Sequence, residues 1–345
     1  MDRIFFTDTI AENSLKKHLE VEQLNHYGGI LTLHGLVNLA VNTRRDDLLA
    51  LSEKLLRPFY SGEIERVGGA YDRMYRCGGS ASALLVKNGL AVDALPFLTA
   101  KAEELIQTHP RNRTGLFGNL KNSEKIWIDS CFSVCPFLTV VGKLADRQDF
   151  IDEAFCQMFG HASLLMDSDC GLFHQSMNFS GPGEISQDHW SRGNGWAALA
   201  LAEMLTELPQ NEKLISFYTG FMDSCRKFQD EHGLWHQEMT RHDAYVETSG
   251  SGLILYAIGR GVEIGVLPES YRDILLKGLR GYLSYIAVDG SVFHSCCGCL
   301  CPGEGKVEDY MNRSWIMNDI HSFGPVVLAF SQAYKLGIKK ISIAE

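Results

Sequence analysis

The feature that most constrains this chain is an alternation of two kinds of helix. Apolar residues recur at three- and four-residue steps over 30–41, 46–59, 80–92, 94–107, 128–144, 149–166, 195–207, 212–229, 249–264, 270–287 and 323–335. That is the period of an α-helix. Successive helices differ in kind. GILTLHGLVNLAV, SASALLVKNGLAV, SGSGLILYAIGRGV and GPVVLAFSQAY are small and apolar all round, whereas DDLLALSEKLLRPF and YRDILLKGLRGYL carry charge on one side. A helix without a polar face must be surrounded, and an amphipathic one can surround it. The alternation therefore predicts an inner ring of helices inside an outer ring. The pairs recur at roughly 45–70 residues, an irregular helical-repeat period. Five pairs and a last helix are visible, and 12–24 can supply the missing partner. The expectation is an all-α (α/α)6 barrel forming one domain over 1–345, with an open helical solenoid as the alternative. Alternating, strand-like runs are short and sit at loops, as in GLFHQSM (171–177) and GLWHQEM (233–239). The long loops 109–124, 167–192, 231–247 and 288–320 would gather at one end of such a barrel, where function usually sits.

Composition enters mainly by exclusion. A formal net charge of −10 argues against nucleic acid as a partner, because phosphate binding needs a basic surface. No apolar run approaches a membrane span. The stretch MDRIFFTDTIAENSLKK shows none of the parts of a signal peptide. Ten cysteines in 345 residues are too few for a disulfide scaffold and read as reduced, buried thiols. The expected setting is cytoplasmic. There is no G-x-S-x-G, H-E-x-x-H or P-loop.

Four stretches carry chemistry. In KIWIDSCF, Asp129 opens an apolar helix. It reads either as a helix cap or as a carboxylate desolvated at a barrel mouth, where burial favours the protonated form of an acid. In GLFHQ, His174 follows a turn. The stretch DHWSRGNGW packs His189, Trp190, Arg192, Asn194 and Trp196 around two glycines. Arg192 can hold a carboxylate with two parallel bonds, the indoles can stack on a sugar, and Gly193 and Gly195 permit close backbone approach. The alternative is a tightly packed helix start with Arg192 paired to a structural acid. In NDIHSFGP, Asp319 precedes the last inner helix and His321 can line the mouth. A fifth stretch, HSCCGCLCPGEG, has four cysteines in six residues. Their spacing is not that of C-x2-C zinc pairs, so no metal ligand is assigned.

These stretches resemble one family. KIWIDSCFSVCPFL, DEAFCQ, GLFHQ, WSRGNGWAALAL, ETSGSG and NDIHSFGPVVLA, in that order, are similar to the unsaturated rhamnogalacturonyl hydrolases of glycoside hydrolase family 105, over about residues 26–337. The resemblance implies a six-hairpin (α/α)6 glycosidase that needs no cofactor. It implies a substrate as well: a small oligosaccharide bearing a 4,5-unsaturated uronate, left by pectin lyases. Matched motif by motif, Asp129 is the acid/base. Trp127, His174, Trp190, Arg192 and Trp196 surround the uronate, and Tyr27 is an aromatic at the first inner helix. His189 and His321, singled out from their own stretches rather than by the family match, are added to the expected binding set. The chain departs from the family at Ser191, where glycine is usual, and in YDRMYRCGGSASALL, where Asp72 stands two residues out of step with the family's second acid and Arg76 adds a positive charge. An unsaturated glucuronyl hydrolase, a carbohydrate-binding barrel without catalysis, and a zinc enzyme built on Cys296–Cys301 are the competing readings.

Overall fold

A computed structural model describes residues 3–21, 24–68, 75 and 77–343. In chain order its helices begin with α1 (Thr7–Val21), α2 (Tyr27–Thr43), α3 (Asp46–Tyr60), α4 (Gly79–Lys87), α5 (Leu95–Thr108), α6 (Ser130–Leu144) and α7 (Gln148–Leu165). They continue with α8 (Ser191–Glu207), α9 (Glu212–Lys227), α10 (Thr248–Glu263), α11 (Tyr271–Tyr282), the short α12 (Val307–Met311) and α13 (Phe323–Lys335). Helices α2, α4, α6, α8, α10 and α13 each pack on the next, and α13 returns to α2. That closes an inner ring of six. Helices α3, α5, α7, α9 and α11 each back the inner helix before them, and α1 backs α13. The expected double ring is what the chain forms. Among the described residues no helix is long and apolar enough to cross a membrane.

The missing sixth partner is the N-terminal helix, and it begins earlier than the sequence pattern suggests. It spans Thr7–Val21 rather than 12–24 because Thr7 is anchored to the C-terminal end of the chain. The Thr7 hydroxyl donates to the Ile338 carbonyl at 2.9 Å and the Thr7 amide to the Lys339 carbonyl at 3.2 Å. Strands β1 (Arg3–Phe6) and β8 (Lys340–Ile343) extend this closure as an antiparallel pair, Arg3 opposite Ile343 and Phe6 opposite Lys340.

The ring also corrects the start of α8. The sequence pattern begins this helix at 195, after the glycines; the structure begins it at Ser191. The glycines are inside the helix because α8 and α10 nearly touch. A Cβ on Gly195 would lie 3.1 Å from the Gly250 Cα, and one on Gly250 would lie 2.2 Å from the Ser191 hydroxyl oxygen. The close approach that Gly193 and Gly195 permit is therefore between backbone and neighbouring elements of the fold.

The inner helices are not wholly apolar. Deep in the ring, Glu203 on α8 is fully buried. It accepts from Tyr256 on α10 and lies 3.3 Å from His34 Nε2 on α2 and 4.0 Å from Arg260 on α10. His34 reaches on to Ser80 of α4 at 3.0 Å, and Arg260 donates to Asn38 at 3.0 Å. This hub joins four inner helices across the barrel. A buried charge is tolerable only when paired and hydrogen-bonded in this way.

Three further two-stranded ribbons lie ahead of inner helices: β2 (Ile126–Trp127) with β3 (Ser176–Met177), β4 (Trp235–His236) with β5 (Val246–Glu247), and β6 (Ser295–Cys296) with β7 (Trp315–Ile316). They mark one end of the barrel as its mouth.

Candidate active site

The mouth is assembled by hydrogen bonds between loops that are far apart in sequence. Beside the β2–β3 pair, the Ile128 amide donates to the Gln175 carbonyl at 2.8 Å. That places Asp129 against the turn carrying His174. Asp129 is half-buried and directly precedes α6, yet its carboxyl makes no capping bond to that helix. Trp127, nearly buried, packs against Phe179 with ring centroids 5.3 Å apart.

His174 is set by Asn194 and Asp188. The Asn194 carboxamide accepts from the Phe173 amide at 2.8 Å and donates to the Phe173 carbonyl at 3.0 Å. His174 Nδ1 lies 2.9 Å from the Asp188 carbonyl oxygen. A carbonyl only accepts, so Nδ1 carries the hydrogen and Nε2 is left as an acceptor in the neutral ring. Asp188 is itself buried. Its carboxylate accepts from the Gln175 and Trp190 amides, and burial, reinforced by the charge of Glu238, pushes its pKa up.

Across the mouth, Tyr27 opens α2. Its hydroxyl lies 2.7 Å from His321 Nε2, and His321 Nδ1 donates to Asp319. Burial pushes the His321 imidazole down to about 4, and the nearby Arg192 charge adds to this. The neutral ring with its hydrogen on Nδ1 offers Nε2 as an acceptor, so the Tyr27 hydroxyl donates. Asp319 is largely buried too, but the His321 bond and the Arg192 charge outweigh that and hold it below the usual carboxylate range. Burial pushes the Tyr27 phenol well up. Arg192 opposes this, while Asp129 and Asp319 add to it. Tyr75 stacks on Tyr27 at 6.5 Å and is raised by burial and by the same Asp129 charge. Tyr27, Tyr75, Asp129, Arg192, Asp319 and His321 thus act on one another in one place.

Arg192 is almost completely buried. Its guanidinium donates to the carbonyls of Cys296 at 2.6 Å and Cys297 at 3.1 Å and to the Ser249 hydroxyl at 3.1 Å. It also lies over the Trp190 ring at 4.5 Å. Among the described residues no acid forms an ion pair with it; Glu247 and Asp319 act on it through space. The cysteine-rich loop earns its place here as the cradle of this cation. Among the described residues it does not gather three metal-ligand atoms.

The remaining expected residues sit deeper. Trp190 is 1 % exposed, packed with Cys296, Cys299 and Tyr310 beneath Arg192. Trp196 is 3 % exposed and stacks on Phe132 at 5.2 Å. His189 is clamped between two acids, with Nε2 3.0 Å from Asp167 and Nδ1 3.5 Å from Glu238. Burial works against its charge, but Glu238 and Asp167 raise its pKa overall. Its ring lies 4.8 Å from that of His174. Asp72 and Arg76 lie outside the described residues.

Sequence reasoning missed the acid that organises the mouth. Glu247, fully buried, accepts from the amides of Ser249, Gly250 and Cys296 and from the hydroxyls of Ser191 and Ser249. It caps α10 and ties α8 and β6 to it. Ser191, out of pattern as a sequence letter, donates to it at 3.1 Å. The available signal was ETSGSG: a carboxylate directly before an all-small helix start.

Comparison with known proteins agrees with this geometry. The sequence profile of Glycosyl Hydrolase Family 88 matches residues 5–337. Unsaturated rhamnogalacturonyl hydrolase YesR of Bacillus subtilis is 27% identical over 207 residues, 57% of this chain and 58% of that protein. The chain spans about half the length of the curated relatives it matches first, at 58%, 48% and 42%. Two solved structures share the fold. One, described as a possible member of GH105 family from Klebsiella pneumoniae, has a TM-score of 0.86 at 18% identity, covering 96% of this chain and 93% of that one. The other, a family 105 glycoside hydrolase of C. acetobutylicum, has a TM-score of 0.81 at 22% identity, covering 96% and 99%.

Proposed function

The chain belongs to glycosyl hydrolase family 88, and from that we propose that it removes a 4,5-unsaturated uronic acid from the non-reducing end of lyase-generated oligosaccharides of the pectin or rhamnogalacturonan type. The observation that carries the reading is Asp129: a half-buried carboxyl at the barrel mouth, not used as a helix cap, close enough for its charge to act on the phenols of Tyr27 and Tyr75. The reaction is hydration of the enol ether. Protonated Asp129 gives its proton to C4. Water adds its oxygen at C5 and returns a proton to the Asp129 carboxylate. The hemiketal then opens and the sugar leaves with its glycosidic oxygen. One group acting as acid and then base is enough for this; no displacement at the anomeric carbon is needed, so a second carboxylate at a set separation is not required.

The other residues take supporting roles. Arg192 supplies fixed positive charge for an anionic ligand, preorganised by carbonyls and by the Trp190 face. Tyr27 is held by His321 and Asp319, so its oxygen presents lone pairs to the pocket. His174 presents Nε2, and His189 backs it. Trp127 lines the acid's side. Trp196 holds the floor through Phe132. The whole of 1–345 is read as one catalytic barrel. Its setting is proposed as cytoplasmic.

The test is a panel of unsaturated disaccharides, from rhamnogalacturonan, homogalacturonan and glycosaminoglycan, followed by the ultraviolet absorbance of the conjugated uronate. Loss of absorbance fastest with the rhamnogalacturonan member supports the reading. Preference for a glycosaminoglycan member makes the chain a glucuronyl hydrolase. No loss with any member overturns the enzymatic reading.

A further inference from the structure

At the rim of the mouth, the connection from α7 to β3 makes a tight turn, DSDCG, over residues 167–171. The Asp167 carbonyl accepts from the Gly171 amide at 2.8 Å, and Gly171 has φ +72°. The turn brings Asp167 and Cys170, three residues apart, to one side. The spacing is that of the paired ligands in many zinc sites, two residues between donors. A third donor comes from the other strand of the same long loop: His189 Nε2, 3.0 Å from Asp167 Oδ2. One ligand atom from each of Asp167, Cys170 and His189 lies within 4.8 Å of the other two, and all three residues are partly exposed. Donors bound tetrahedrally at about 2.0–2.3 Å sit roughly 3.3–3.7 Å apart, so small rotations bring the three onto one ion.

The surroundings are built as for a ligand set. The second His189 nitrogen faces the fully buried Glu238, whose other oxygen accepts the His189 amide at 2.6 Å. A carboxylate on the far nitrogen of a histidine fixes the tautomer and ring angle that a metal needs. The second oxygen of Asp167 is likewise fixed, by the Asp169 amide at 2.7 Å. Without an ion, Asp167 is the common partner: it pairs with His189 and accepts the Cys170 thiol, which already draws the three donors to one point.

We propose that Asp167, Cys170 and His189 form a binding site for a thiophilic divalent metal, Zn2+ or a close relative, with the fourth position left to water. The site lies outside the acid/base chemistry. His189 is its link to the sugar pocket, through the neighbouring ring of His174. Binding displaces the thiol proton of Cys170 and the Nε2 proton that His189 gives to Asp167; both pass to the buffer, Nδ1–H stays towards Glu238, and the thiolate and Nε2 take their places on the ion.

The experiment uses the full chain, stripped with a chelator and titrated with ZnCl2 in a calorimeter, in two buffers of different ionisation enthalpy. The site predicts one equivalent of zinc, proton release seen as a buffer-dependent heat, and a thiolate-to-metal charge-transfer band when Co2+ is used instead. Cys170→Ser and Asp167→Asn each weaken binding about a hundredfold or more, and Cys170→Ser does so with the melting temperature of the metal-free protein unchanged. No binding at stoichiometric zinc overturns the proposal. So does binding that survives Cys170→Ser unchanged, or a cobalt complex without thiolate character. Binding lost only on changing Cys297 and Cys301 overturns it as well, and moves the metal to the cysteine-rich loop.

Discussion

Replacing Glu203 by Gln tests the claim that the barrel is held across its axis by one buried carboxylate. The side chain keeps its volume and loses its charge, which removes one of the two acids facing Arg260 and leaves it Glu263 at 2.8 Å. The interaction with His34, Arg260 and Tyr256 outweighs burial and holds the Glu203 carboxyl at about 2, against 4.5 for an ordinary glutamate. That difference converts at 1.36 kcal/mol per unit to about 3 kcal/mol, in line with the roughly 3–5 kcal/mol lost on breaking a buried pair. An unfolding entropy of about 2.1 cal/mol/K per residue over 345 residues turns that into a fall in Tm of about 4 °C. The pH dependence fixes the cause. A carboxyl whose pKa is lowered on folding gives its full stabilisation above about 4.5 and loses it as pH falls towards about 2. The gap between wild type and Glu203→Gln, measured by urea unfolding, is then constant from pH 7 to 5 and shrinks to about 1.4 kcal/mol by pH 3. Equal stability at pH 7 refutes the reasoning, and so does a gap that does not narrow in acid.

Other outcomes follow from the same coordinates. His18, His161 and His321 are each pushed down to about 4, mainly by burial. The unfolded chain therefore binds protons below about 6.5 that the folded chain refuses. Stability falls between pH 6.5 and 4, by up to about 4 kcal/mol per pH unit for the three together; a flat urea midpoint from pH 7 to 5 contradicts this. Asn194→Ala frees the Phe173–His174 turn. It lowers kcat/KM about tenfold or more for the loss of about 1.5 kcal/mol of oriented hydrogen bonding, while Asn194→Asp restores only the acceptor half. Arg192→Lys cannot span both the Cys296 and Cys297 carbonyls and loses the planar face over Trp190. Its KM for an unsaturated disaccharide rises about tenfold or more, and an unchanged KM removes Arg192 from the anion site.

The double ring was legible because a helix that is apolar all round has one explanation, burial on every side. The closure was less so. Thr7 and the β1–β8 pair depend on contacts between the two ends of the chain, and no local pattern records a pairing over more than 330 residues. The start of α8 was misjudged because glycine lowers helix propensity, whereas here Gly195 is needed where α8 meets Gly250 of α10. Asp129, Tyr27 and His321, candidates from the sequence, are brought near one another at the mouth. Trp190 and Trp196 were placed around the sugar by residue type and by the family motif; an indole in a sequence does not show that one of its faces is covered by Arg192 or by Phe132. Glu203 and Glu247 went unremarked because a single acid inside an apolar stretch reads as an exposed residue until its partners, on other helices, are placed.

The central claim is that Asp129 protonates C4 of an unsaturated uronide. The most direct measurement is NMR of the product formed in D2O from an unsaturated rhamnogalacturonan disaccharide. Wild type is predicted to place one deuterium at C4 and to release the intact second sugar, and Asp129→Asn to give no product on the same timescale. A product released with the C4–C5 double bond still in place, or full turnover by Asp129→Asn, contradicts the account.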